Sequence, residues 1–240
     1  MNEQEKINYA NLSEQKMKYM EESALERLKS KFIFSDEGNI GSGKTTIIHH
    51  LQRLYKDVIL VEEPGKDWQD IEGENLLKKK NEDLNRWGYS FEAYVLITKM
   101  NELTKFANSD KKIILIERCM LTDKAFFDVN VENNKSNPME EAMFKNLYEF
   151  LSNNVYPKLS GIIFLDTSVD ECLKRIEKRG RSEGVNLERK YLMQLNDAFL
   201  DLIVKCNVPI LRLDGNYDLK EGFNDIGIKL FEFIKKQIDE

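Results

Sequence analysis

Glu37-Gly38-Asn39-Ile40-Gly41-Ser42-Gly43-Lys44-Thr45-Thr46 decides how the rest of this 240-residue chain is read. Gly38 to Thr45 fits G-x-x-x-x-G-K-S/T, a loop whose backbone N–H groups and following helix start form a nest of positive potential for nucleotide phosphates. The glycines let the backbone approach a phosphate with no Cβ in the way. In this pattern Lys44 reaches the β- and γ-phosphates of a nucleotide such as ATP. The Thr45 hydroxyl holds Mg²⁺, and Thr46 extends the phosphate contacts. A glycine turn without a ligand is the plain alternative, and the flanks argue against it. Lys31-Phe32-Ile33-Phe34-Ser35 reads as a short buried strand, and Thr46-Ile47-Ile48-His49-His50-Leu51 as a helix. Strand, loop and helix occur in the order that phosphate binding needs.

Working outward, the length suits one large α/β domain with a short extension, divided here as residues 1–30 and 31–240. A hydrophobic content of 41% supplies a sizeable core, and a net charge of −6 argues against an extended nucleic-acid surface. Cys119, Cys172 and Cys206 are widely spaced, which points to a reducing compartment rather than a disulfide framework or a metal pattern. No apolar run is long enough to span a membrane, and the mixed Glu and Lys of the first residues fit no leader peptide, so the expected location is the cytoplasm. In the extension, Asn11 and Glu14 fit a capping box ahead of a loose apolar stripe.

From Lys31 onward, apolar runs of about five residues alternate with helical patterns. The expected strands are Phe32–Ser35, Val58–Glu62, Lys112–Glu117, Gly161–Asp166 and Pro209–Leu213, without polar alternation, as strands covered on both faces read. Helices are expected near 45–56, 88–108, 139–154, 169–178, 187–205 and 222–237. The one clearly loop-like stretch is 130–137. This pattern specifies an α/β fold of the P-loop NTPase type: a doubly wound, five-stranded parallel sheet flanked by helices, with ligands at the C-terminal strand ends.

The residues just beyond those strand ends carry the chemistry. A kinase needs a hydroxyl acceptor and a base, where an ATPase needs a positioned water. Glu63, fixed by Pro64, is a candidate base, and Trp68 a candidate wall for a planar substrate. Glu117 is placed to hold Mg²⁺ directly or through water, and Arg118 to steady the base or the reacting oxygen. Arg175, Arg179 and Arg181 around Gly180 read as a lid that neutralises a transferring phosphoryl group. His49 and His50 read as structural, and Cys119 as a small pocket-lining residue.

These motifs, taken together from about Phe32 to the C-terminus, resemble the deoxynucleoside kinases. Glu37 to Thr45 is similar to that family's E-G-N-I-x-x-G-K-S/T, Glu63-Pro64 with Trp68 to its E-P-x-x-x-W, and Glu117-Arg118-Cys119 to its E-R-S. The resemblance implies Glu63 as base on the sugar 5′-hydroxyl, Glu117 near Mg²⁺ and Arg118 near the 5′-oxygen. It makes Arg175, Arg179 and Arg181 lid arginines, and sets Asp218 in the loop packing on the donor's base. Phe91 and Phe127 fall where the family places aromatics at the substrate base. Three residues depart from the family pattern: Glu92 stands for a glutamine that pairs with the base, Asn81 for a sugar-binding tyrosine, and Glu183-Gly184 for a Glu-Glu pair. Asp36 occupies a strand position that is usually apolar.

Lys99 and Asp123 fall where the deoxycytidine and deoxyguanosine branch has an Arg–Asp pair, implying acceptance of amino-bearing bases over thymidine. A carboxylate at Glu92 accepts and does not donate, which suits the adjacent N–H donors of guanine. The implied substrate is a deoxynucleoside, the donor ATP or another nucleoside triphosphate, the cofactor Mg²⁺ and the assembly a homodimer. That dimer is expected to pack through the helices near 88–108 and 139–154. The competing readings are a monophosphate kinase of the thymidylate type and a kinase-fold binding subunit without turnover.

Overall fold

The structure is a computed structural model, and it describes residues 23–180, 187–216 and 223–239. The Asn11–Glu14 box, Arg181, Glu183, Gly184 and Asp218 lie outside the described residues. Five parallel strands form one sheet in the order β2-β3-β1-β4-β5. They are β1 (Phe32–Glu37), β2 (Val58–Val61), β3 (Ile113–Glu117), β4 (Gly161–Asp166) and β5 (Ile210–Asp214). The central strand is the one that feeds the glycine loop. Chain order runs to one side of it through β2 and returns through β3. It then crosses to β4, which opens a crevice at the C-terminal strand ends where the order reverses.

The helices are α1 (Ala24–Leu28), α2 (Lys44–Leu54), α3 (Gly65–Gln69), α4 (Leu76–Glu82), α5 (Leu84–Thr104), α6 (Met120–Glu132), α7 (Pro138–Asn154), α8 (Val169–Arg179), α9 (Arg189–Lys205) and α10 (Phe223–Asp239). Side chains alternate across the sheet, so each strand feeds two cores. Phe34, Leu115, Ile163 and Leu165 pack with Ile47, Ile48 and Leu51 of α2 and Ile226 and Leu230 of α10. On the opposite face, Ile33, Ile59 and Ile114 pack with Leu28, Met100 and Leu103. Phe164 packs there with Ala125, Leu195 and Phe199, from α6 and α9. Phe34, Phe164 and Phe199 are fully buried, and truncating any one to Ala costs about 3–5 kcal/mol.

All five strands stand where the apolar runs place them. The even burial expected of each strand does not extend to β5, where Ile210, Arg212 and Asp214 are exposed. It is an edge strand with one neighbour, and Arg212 of its outer row pairs with Asp166 of β4. The loop-like stretch shrinks to residues 133–137. α6 continues through Asn130, and Asn137 caps α7 with a full capping box. Short α3 and α4, and α6 after the third strand, are additional to the expected helices.

Candidate active site

The glycine loop leaves β1 and enters α2 through residues that only glycine fits. Gly41 and Gly43 have φ of 79° and 111°. A Cβ on Gly41 would lie 2.7 Å from the Cys172 carbonyl oxygen, so the loop seats directly on α8. Lys44 Nζ donates to the carbonyl oxygens of Gly38 at 3.1 Å and Asn39 at 2.9 Å. Thr45 Oγ1 donates to Glu117 Oε1 at 2.8 Å, so the two expected metal-binding side chains meet across the β1–β3 crevice. Asn39 is turned away, its Nδ2 donating to the Leu192 carbonyl on α9. Ile40 packs with the α6–α9 core, and Ser42 is fully buried while Thr46 is exposed.

Arg175 grips the loop from outside. Its Nη1 donates to the Ser42 carbonyl at 2.5 Å, its Nη2 to the Gly215 carbonyl at 2.8 Å and its Nε to Glu171 at 3.0 Å. Arg179 is exposed at the end of α8, which Gly180 closes in a left-handed cap at φ 59°. Of the expected lid arginines, Arg175 is thus tied to the loop, and Arg181 lies outside the described residues.

Opposite the loop, Glu63 is held between two cations. Arg118 Nη1 donates to Glu63 Oε2 at 3.0 Å and Lys99 Nζ stands 3.2 Å from Oε1. Burial pushes the Glu63 carboxyl up, but Arg118, Lys99 and Lys44 outweigh it and hold it at about 2. Lys99 also donates to Asp123 Oδ1 at 2.5 Å, which joins the expected pair to the base. Burial pushes Asp123 up to about 7 against the pull of Lys99. Burial and the Arg118 charge together bring Lys44 down to about 8. Arg118 itself takes a left-handed φ of 58°, strain of about 1 kcal/mol or more that directs its guanidinium between Glu63 and the Gly38 carbonyl.

Trp68 and Phe91 meet edge to face with centroids 5.5 Å apart, and Trp68 Nε1 donates to Thr98 at 2.9 Å. Val95 completes this apolar wall. Glu92, 2% exposed, is met by a residue that pattern reading passes over: Lys80 Nζ lies 3.3 Å from Glu92 Oε1 and 4.6 Å from the Phe91 ring centroid. Burial pushes Glu92 up, and Lys80 pulls back. Asn81, expected in the substrate pocket, is exposed. One helical step of about 100° turns its neighbour Lys80 inward instead. A buried carboxylate without a marked partner was the available signal for such a cation.

Phe127 is placed apart from this group. Its ring stacks on Phe144 at 3.9 Å within the α5–α6–α7 core, while the adjacent Phe126 stands 5.2 Å from the Arg118 guanidinium and 6.0 Å from Lys80. Cys119 is buried, and burial with Glu37 nearby pushes its thiol well up, which disfavours the thiolate. His49 bonds Glu62 at the surface.

The site thus sets a phosphate cradle, an oxygen-only Thr45–Glu117 pair of the kind a hard cation takes, and an ionised carboxylate beside an aromatic pocket at one sheet edge. A sequence profile described as "Deoxynucleoside kinase" matches residues 34–236. The chain is 28% identical to the deoxycytidine kinase of Homo sapiens, with 83% of this chain and 90% of that one covered. It is 30% identical to the probable deoxycytidine kinase of fowlpox virus, covering 84% and 88%. The mitochondrial thymidine kinase 2 of Homo sapiens is 24% identical, covering 80% and 74%.

Proposed function

The chain belongs to the deoxynucleoside kinase family and is a kinase, and from that premise we propose that it moves the γ-phosphoryl group of ATP to the 5′-hydroxyl of a deoxynucleoside with an amino-bearing base. The observation that carries this reading is Glu63, ionised and bracketed by Arg118 and Lys99 across from the phosphate loop. A bond forms between the 5′-oxygen and the γ-phosphorus while the bond to the β-phosphate oxygen breaks, leaving ADP. The hydroxyl proton passes to Glu63. A carboxylate near 2 is a weak base, which suits a loose transition state in which the attacking oxygen bonds little and loses its proton late. Lys44 and Arg118 meet the negative charge that spreads over the transferring group. Arg175 keeps the loop seated, and Arg179 and Arg181 are assigned to the lid.

Mg²⁺, when bound, would supply positive charge to neutralise the donor phosphates. Thr45 and Glu117 are the side chains that would hold it. Nucleotide salvage in the cytoplasm is the setting this activity implies. Among the described residues no helix is long and apolar enough to cross a membrane. A homodimer through α5 and α7 fits their exposed Ile97, Met139, Met143 and Phe150.

Base preference follows from two acceptors. Among the described residues, Asp123 Oδ2 is buried without a hydrogen-bond partner, and Glu92 Oε1 has only the Lys80 contact at 3.3 Å. A base seated on the Trp68–Phe91 wall has to bring N–H donors to them. Adenine, cytosine and guanine carry an exocyclic amine, guanine adds N1–H beside it, and thymine has no such amine. Side-by-side kcat/KM values for the four deoxynucleosides test this. Thymidine is expected to be the poorest acceptor, and Glu92→Gln to shift discrimination among bases by about tenfold, the worth of one buried hydrogen-bond match. Thymidine as the best acceptor would contradict the reading.

A further inference from the structure

Asp36 has no task in the chemistry above, yet it lies directly beneath the loop. It is fully buried, and neither carboxyl oxygen has a hydrogen-bond partner among the described residues. Such a group is costly to bury unless something supplies donors or positive charge. The sheet register sets Asp36 beside Glu117. Both residues share a face with Phe34 and Leu115, two positions earlier on their strands, and those side chains pack on Ile47 and Ile48 of α2. Both carboxyls therefore face the start of α2, where Lys44 and Thr45 sit. Thr45 already bonds Glu117, and Lys44, whose charge acts on Asp36, gives two of its three N–H donors to the Gly38 and Asn39 carbonyls. The other carboxylates near the loop are already met: Glu63 by Arg118 and Lys99, Asp123 by Lys99, and Glu37 by Ser35 and the Cys119 N–H.

We propose that Asp36 is a second carboxylate of the divalent-cation site beside Glu117, accepting hydrogen bonds from water held by the cation. Mg²⁺ gives up its hydration reluctantly, and its waters are strong donors for an acceptor that has none. This rests on the reading that Thr45 and Glu117 hold the cation, and the experiment separates the two.

Two binding measurements are made on the full chain, comparing wild type with Asp36→Asn and Glu117→Gln. One is the unfolding temperature with ADP, with and without Mg²⁺. The other is Mn²⁺ affinity followed by electron paramagnetic resonance. Asp36→Asn is expected to melt higher than wild type without metal, since an uncompensated buried carboxyl is gone. It is expected to lose most of the Mg²⁺-dependent rise, to bind Mn²⁺ at least about tenfold more weakly and to bind metal-free ADP as wild type does. Asp36→Ile, which matches the apolar strand neighbours, gives the same readout if the Asn variant does not fold. Wild-type metal affinity in both Asp36 variants, with loss in Glu117→Gln, overturns the proposal alone. Wild-type affinity in all variants, or no metal effect in wild type, overturns the Thr45–Glu117 reading with it.

Discussion

At Glu63, burial and charge act in opposite senses, and charge wins. Its carboxyl sits at about 2, below its ordinary 4.5, because Arg118 and Lys99 each hold one oxygen. A depressed carboxylate contributes stability that is present above its unfolded value and lost as pH falls toward its folded one. Glu63→Gln should therefore melt lower than wild type at neutral pH, with the gap closing between about pH 4.5 and 2 in a thermal unfolding series. The same variant should lose at least about a hundredfold in kcat while keeping its fold. Single residues were also the least legible part of the chain. Glu63, Lys99, Arg118 and Asp123 stand in marked motifs and the fold gathers them. Lys80 and Phe126 do not, since which of two adjacent helical residues turns inward depends on how the helix is rotated. The family resemblance set Asn81 and Phe127 in the pocket, whereas Asn81 is exposed and Phe127 stacks on Phe144.

At the scale of the element, the strand–loop–helix unit from β1 to α2 was readable because its glycines and its Lys-Thr pair answer a backbone requirement that little else satisfies. The helices α3 and α4 were hidden because each is short and draws stability from the Trp68–Phe91–Val95 cluster rather than from a full apolar stripe. α8 plays a part beyond the proposed lid. Through Arg175 it joins the Ser42 carbonyl of the loop to the Gly215 carbonyl after β5. Arg175→Ala removes charge-assisted hydrogen bonds worth about 1.5–3 kcal/mol and frees the loop to move. Its KM for ATP should rise about tenfold or more in steady-state kinetics, with a smaller change in kcat. An unchanged KM would mean that the seat of Gly41 on Cys172 and Ile176 holds the loop by itself.

Across the whole molecule, the alternation of apolar runs and helical patterns specified the sheet, and the sheet order then set which strand ends adjoin. Sequence pattern alone is blind to that order. Only with β3 beside β1 do Glu117 and Asp36 become neighbours. The exposed apolar residues of α5 and α7 bear on assembly: Phe150 is 59% and Met139 68% exposed. In the proposed dimer, Phe150→Asp sets charge into an apolar contact and should halve the mass found by light scattering while leaving the unfolding transition cooperative. A wild-type monomer would end that proposal without touching the chemistry.

The chemistry itself is tested most directly by the acceptor. With γ-labelled ATP, Mg²⁺ and the four deoxynucleosides and their 5′-monophosphates supplied separately, label is expected on the 5′-oxygen of deoxynucleosides with amino-bearing bases, and little on monophosphates. Label passing to the monophosphates, or to water alone, would contradict the account.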